Sequence, residues 1–483
     1  MTRRTPIATT LLAAILALAP AAQAQEARRI EVPVETIRLE NGLTVFLHRD
    51  ATTPTIATNI WYHVGSSAEK PGRTGFAHLF EHIMFEGSAN VPEGKIDEWF
   101  QEVGGSPNGS TTRDRTNYMQ SFSSSALELA LFIESDRMGY LLEAMSPASV
   151  DGQRDVVKNE RRQSYDNRPY GLASQILTEA LYPPSHPYSW PVIGYMDDLS
   201  AAGYEDVVDF FRRYYAPNNA TVAIVGDIDI EEAKRLVEKW FGELPRGEAI
   251  EEVEAPQPRL EATKRLLLED RVQLPRLYMA WHTVPAYAEG DAELTVLARL
   301  LAGGKNSRLY RRLVYELQIA ADVNAYQSGG KLAGDFTISA TARAGHTLEE
   351  LERVILEELD RLREEPPSAE ELERIVNQYE IGFLEQLERV ASKADRLNAY
   401  YFYTGRPDYF NEDLERFRRM RPEAVREMVR RYLDPDRRVV LSIVPRGRTE
   451  LGIPGSTPIP PDNLMLSPRG REAAAAGATE GGR

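Results

Sequence analysis

Residues 207–222, VVDFFRRYYAPNNATV, return at 425–440 as VREMVRRYLDPDRRVV, and this repetition limits the possible folds more than any other feature. The RRY at 212–214 recurs at 430–432 and Pro217 recurs as Pro435, a constant offset of 218 residues. Each copy reads as an amphipathic helix, a proline-bearing turn and an apolar strand, AIVGD in one and LSIVP in the other. The chain is therefore expected to contain two copies of one domain, although its length alone would suggest about three.

The repeat places one domain at 25–246 and the other at 263–450, joined over 247–262 by the Glu- and Pro-rich EAIEEVEAPQPRL. Residues 451–483 form a low-complexity tail ending REAAAAGATEGGR, expected to be disordered. Strand-like segments such as TVFLH and TIATNIWYHV open the first copy, and helical patterns such as LEELERVILEELDRLREE fill the second. Without a regular alternation of strand and helix, the fold class is α+β: helices packed on mainly antiparallel sheets.

Arg3 and Arg4 precede an apolar stretch at 8–19, and Ala22, Gln23 and Ala24 make a small-x-small cleavage site. This reads as a signal peptide over 1–24, cut before Gln25, with the periplasm as destination. The stretch is shorter than the roughly 20 residues a spanning helix needs, and no second long apolar run follows, so no stable membrane insertion is expected. The absence of cysteine excludes disulfides, thiol catalysis and thiolate metal sites. A formal net charge of −16 makes nucleic acid a poor partner.

The segment GFAHLFEHIMFEGS, residues 75–88, carries the chemistry. On a helix His78 and His82 stand one turn apart on one face, so both imidazoles can reach one ion, with Glu81 beside them. This is the HxxEH order of the inverted zincins. A catalytic Zn2+ needs a third protein ligand and an open position for water. Glu160 follows a helical pattern with Val156 and Val157 and is the only glutamate between Glu143 and Glu179. On pattern alone it reads as a surface carboxylate.

Six blocks give the chain a family resemblance: LENGLTVFL (39–47), WYHVGSSAEKPGRTGFAHLFEHIMFEGS (61–88), GGSPNGSTTRDRTNYM (104–119), DVVKNE (155–160), PNNATVAIVGD (217–227) and GGKNSRLYRRL (303–313). In this order and spacing they resemble the pitrilysin, insulin-degrading enzyme and mitochondrial processing peptidase family. The resemblance implies a zinc metalloendopeptidase with His78, His82 and Glu160 as metal ligands and Glu81 as general base. Two homologous domains would enclose a chamber around a peptide or unfolded polypeptide. It also implies that GGSPNGST forms an exposed strand edge taking the substrate backbone by β-addition, with Asn108 and Gly109 near the cleaved bond. On sequence alone a glycine-rich turn fits that segment equally well.

The second copy has no such site. Matching Gly87 to Gly303 puts Leu294, Leu297 and Ala298 where the first copy has His78, Glu81 and His82. Two departures from the family pattern matter. Where family members read GGxxSRLxxxLRExxGLAYxV, this chain has Val314 for the arginine, Ala321 for the tyrosine and Gln318 for the glycine, although that arginine and tyrosine help hold substrate. Gln153 also replaces a glutamate often found near the metal. Arg308 and Tyr315 keep the spacing of the missing pair, but Arg308 belongs to the SRL block. The preferred expectation is a heterodimer with a paralogous subunit that supplies the missing Arg and Tyr. The alternatives are a self-sufficient homodimeric peptidase and a non-catalytic binding or assembly subunit.

Overall fold

The central strand of each repeat is apolar along most of its length, ATVAIVG in the first and VVLSIVP in the second, as befits a strand covered on both faces. Around these strands the computed structural model builds two six-stranded sheets. The described residues are 29–480, with side chains to 474; the leader expected over 1–24 and its cut before Gln25 lie outside them.

The first sheet contains β1 (Glu35–Arg38), β2 (Thr44–Arg49), β3 (Thr55–Tyr62), β4 (Ser106–Thr111), β5 (Thr116–Ser123) and β6 (Ala220–Gly226). Their order is β1-β2-β6-β3-β5-β4. The second contains β7 (Lys264–Asp270), β8 (Arg276–Thr283), β9 (Ala320–Gly329), β10 (Gly334–Ala342), β11 (Val439–Pro445) and β12 (Thr457–Ile459), ordered β12-β7-β11-β8-β10-β9. From the second strand inward the two orders match, β2 with β7, β6 with β11, β3 with β8, β5 with β10 and β4 with β9. Only β2–β6, β7–β11 and β7–β12 are parallel; every other pair is antiparallel. Two mixed, mainly antiparallel sheets packed with helices are the expected α+β architecture.

The repeated helix is built by the same logic twice. Tyr204–Tyr214 carries Glu205 and Asp206 in its first turn and Arg212 and Arg213 in its last, while Pro422–Tyr432 carries Glu423, then Arg430 and Arg431. Acids at the start and bases at the end suit the helix dipole. Val207, Val208, Phe210 and Phe211 in the first, and Val425, Met428 and Val429 in the second, turn inward.

Helices Ala173–Leu181 and Val390–Thr404, also related by the repeat, are exchanged between the halves. Ala173–Leu181 lies on β8 and β11 of the second sheet, where Ile176, Leu177 and Leu181 share a core with Leu268, Ala280, Leu441 and Ile443. Val390–Thr404 lies on β3 and β6 of the first. There Asp395 accepts hydrogen bonds from Asn59 and Trp61, Asn398 donates to the Asn59 carbonyl, and Lys393 pairs with Asp50.

From 451 to 480 the tail departs from the expectation of disorder; residues 481–483 lie outside the described residues. Residues 457–459 form β12, Leu464 is 1% exposed, and Arg471 pairs with Glu179 of the first half. Average composition hid isolated anchors, Ile453 and Leu464, that are enough to pin the segment down. Among the described residues no helix is long and apolar enough to cross a membrane.

Candidate metal centre

Helix Phe76–Ile83 starts after Gly75, whose φ of 88° lies in the left-handed region. A Cβ there would stand 2.7 Å from the Ile193 carbonyl oxygen, so glycine is required. The helix has no N-cap side chain of its own. The buried Glu69 carboxylate fills that role, accepting the Gly75 and Ala77 amides at 3.0 and 2.9 Å. Burial pushes Glu69 up to about 8, against the pull of both bonds. Phe76, Leu79, Phe80 and Ile83 pack into the core, which leaves His78, Glu81 and His82 on the opposite face.

The third carboxylate arrives on helix Pro147–Arg161, started by a Ser146–Ser149 capping box. Glu160 Oε2 lies 3.1 Å from His82 Nε2 and 3.6 Å from His78 Nε2. The three side chains offer ligand atoms all within 4.8 Å of one another. Two imidazole nitrogens and one carboxylate oxygen are a donor set that suits Zn2+ with a position left open. Burial lowers His78 to about 4, and the His82 hydrogen bond holds Glu160 below the ordinary carboxylate range. A neutral imidazole and an ionised carboxylate are the forms a metal requires. With the Glu160 side chain 37% exposed, the cluster is open on one side.

Glu81 faces β4. Burial raises its carboxyl, opposed by a 2.6 Å hydrogen bond that Thr111 donates to Oε2. β4 pairs only with β5, so its other edge is free of any strand among the described residues. A Cβ on Gly109 would meet Glu81 Cγ at 2.9 Å, so the strand passes directly over that side chain. Asn108 is exposed, its Oδ1 accepting the Gly109 amide at 2.9 Å. β4 is thus an edge strand with Gly109 beside Glu81.

The sequence reading passed over three supporting residues. Thr111 and Glu69 touch the helix as described. Arg161, next to Glu160 and fully buried, donates to the carbonyls of Gly194 and Leu464 and to Gln175 Oε1. Glu69 stands shortly before the helix and Thr111 ends the GGSPNGST segment, so both are traceable in the sequence, whereas Arg161 is marked only by following Glu160.

Gln153 and Arg308 have partners other than the three cluster residues. Gln153 donates to Glu86 at 2.5 Å, and Arg308 pairs with Glu358 and Glu371. Val314 is buried, Ala321 lies exposed at the start of β9, and Tyr315 is 77% exposed. Gln318, at the place of the family glycine, has a left-handed backbone with φ of 55°. Helix Asp291–Ala302 also begins after a left-handed glycine, Gly290. Counted from these glycines, Glu293, Val296 and Leu297 stand opposite His78, Glu81 and His82, one residue off the register set by Gly87 and Gly303. Neither register gives the second half a ligand set, and His78, His82 and Glu160 form the one three-ligand group among the described residues.

Comparison with known proteins matches residues 44–185 to the model described as "Insulinase (Peptidase family M16)" and 201–379 to "Peptidase M16 inactive domain". The Helicobacter pylori zinc protease PqqE is 30% identical over 362 residues, covering 73% of this chain and 80% of that protein. The crystal structure of a protease from Helicobacter pylori superposes with a TM-score of 0.81 at 26% identity, covering 86% of this chain and all of that one. The periplasmic protease PqqL from Escherichia coli gives a TM-score of 0.71 at 20% identity; 93% of this chain covers 50% of it.

Proposed function

The chain belongs to peptidase family M16, and on that premise we propose that it is a zinc-dependent endopeptidase subunit acting on peptides or unfolded polypeptides. The observation that carries this reading is the convergence of His78, His82 and Glu160 next to Glu81 and the free edge of β4. Zinc bound there supplies a Lewis acid and brings the pKa of a water toward neutrality.

Glu81 accepts the proton of the attacking water and returns it to the departing nitrogen. A peptide adds to β4 as one more strand, held by main-chain hydrogen bonds along Asn108 and Gly109, so its scissile bond lies over Glu81. Small side chains suit this edge, since Gly109 already approaches Glu81 closely.

Val314 and Ala321 offer neither a cation nor a phenol, so a second chain supplies them: a paralogue bearing the Arg and Tyr, in a heterodimer. Coverage of half the PqqL chain supports an assembly of two such units, and that protein's periplasmic location supports the export read from the leader.

Glu81→Gln tests the reading. The variant keeps three metal ligands, so it should bind zinc like the parent while losing at least about a hundredfold in turnover. Activity near that of the parent in the zinc-loaded variant would overturn the assignment.

A further inference from the structure

Glu81 has two carboxylate oxygens with different surroundings. Thr111 Oγ1 donates to Oε2 at 2.6 Å, whereas Oε1 faces β4, 3.3 Å from where a Cβ on Gly109 would stand. A hydroxyl has one proton to give. Thr116 Oγ1 donates to the Val64 carbonyl at 3.0 Å and lies 3.5 Å from Thr111 Oγ1, so nothing draws the Thr111 proton from Glu81.

The backbone beneath this hydroxyl is held tightly. Thr111 pairs with Thr116 in the β4–β5 ladder, and the Thr112 amide donates to the Arg115 carbonyl at 2.8 Å. The Arg115 guanidinium donates to the Ser110 carbonyl, to Ser110 Oγ and to Asn117 Oδ1, at 2.7, 2.6 and 2.9 Å. It lies over the Trp61 ring, 5.0 Å from the centroid, and Trp61 in turn donates to Asp395 on the helix received from the second half. A β-branched side chain on such a strand has little rotamer freedom.

We propose that Thr111 is a positioning residue for the reaction: it fixes one oxygen of Glu81 and so aims the other at the strand edge where substrate binds. This rests on Glu81 acting as the general base. One hydroxyl ties the acid–base group to the strand that receives the peptide, and Arg115 keeps the two in register. Without it the carboxylate can rotate about its side-chain torsions, and about 1 Å of misplacement is enough to lower a rate by as much as a hundredfold.

The test compares Thr111→Val, Thr111→Ser and Glu81→Gln in the full zinc-loaded chain, with the paralogue added where turnover requires it. Zinc content and unfolding midpoint are measured beside kcat and KM for an unstructured peptide. Thr111→Val should lower kcat about tenfold to a hundredfold, with KM within about twofold and zinc unchanged. Thr111→Ser, which keeps the donor, should restore kcat. A parental kcat in Thr111→Val while Glu81→Gln is inactive would overturn this role alone; an active Glu81→Gln would overturn the general-base reading as well. Thr111→Ser also decides independently of whether Thr111→Val folds, because a tenfold loss of kcat in the serine variant overturns the proposal.

Discussion

His63 and His282 stand at the same place in the two sheets. Each follows by two residues a strand position, Trp61 or Ala280, paired with Thr221 or Val439, which are equivalent under the repeat. Each also meets the helix received from the other half. His63 packs on Phe402 with centroids 5.0 Å apart, and His282 Nε2 lies 2.8 Å from the carbonyl of Leu181.

A pH dependence follows from this pair. Burial lowers both to about 4, with Lys331 adding to the effect at His63 and the Leu181 carbonyl opposing it at His282. Both lie below the value of about 6.5 for an unfolded histidine, so the unfolded chain binds more protons in between. Their contribution is therefore complete above about pH 6.5 and is lost as pH falls toward 4. Urea midpoints between pH 4 and 7 should fall with acid, and less steeply in the double variant His63→Gln, His282→Gln. Equal slopes in variant and parent would refute the assignment.

His82→Ala and Glu160→Ala each delete one proposed ligand and should weaken zinc binding by about a hundredfold or more. Competition with a chelating dye measures it. Retention of parental affinity in both variants would remove these residues from the ligand set.

Isolated and zinc-loaded, the chain should cleave an unstructured peptide slowly, because orienting the substrate contributes several kcal/mol to lowering the barrier, about 7 to 11 in well-aligned systems. Titration with a paralogue carrying the Arg and Tyr should raise turnover at least about tenfold and yield a complex with the mass of a heterodimer. Full turnover of the lone chain, with no complex formed, would mean that it is self-sufficient.

Leu464 anchors the segment after β12, and its carbonyl accepts hydrogen bonds from Arg161 and Gln175. Leu464→Ala should cost about 2 to 5 kcal/mol of stability, the usual range for emptying a buried leucine site. A denaturant midpoint unchanged from the parent would show that the strap bears no weight.

What could be read in advance was local chemistry and long-range repetition. His78, Glu81 and His82 lie on one helix, where spacing alone decides which face they share. The offset between Arg212 and Arg430 anticipated two sheets of one order. Glu160 was different, because its approach to His82 depends on packing between distant segments, and only family resemblance pointed to it. Thr111 lies inside the GGSPNGST segment, yet its bond to Glu81, like the bonds of Arg161, arises from which strand edge and which carbonyl the tertiary fold brings near. The segment after β11 is held in place because burial of Ile453 and Leu464 outweighs the polar average of the residues around them.

The exchanged helices also set an order of events during synthesis. The strands of the first sheet are complete once Gly226 has left the ribosome, but the helix that covers their second face begins only at Val390. The half that holds His78 is therefore complete only when residues up to Thr404 are present, since one side of β3 and β6 is otherwise open. Each half finishes the other, so a nick in the connection between Phe241 and Lys264 would break the backbone without letting either half go its own way.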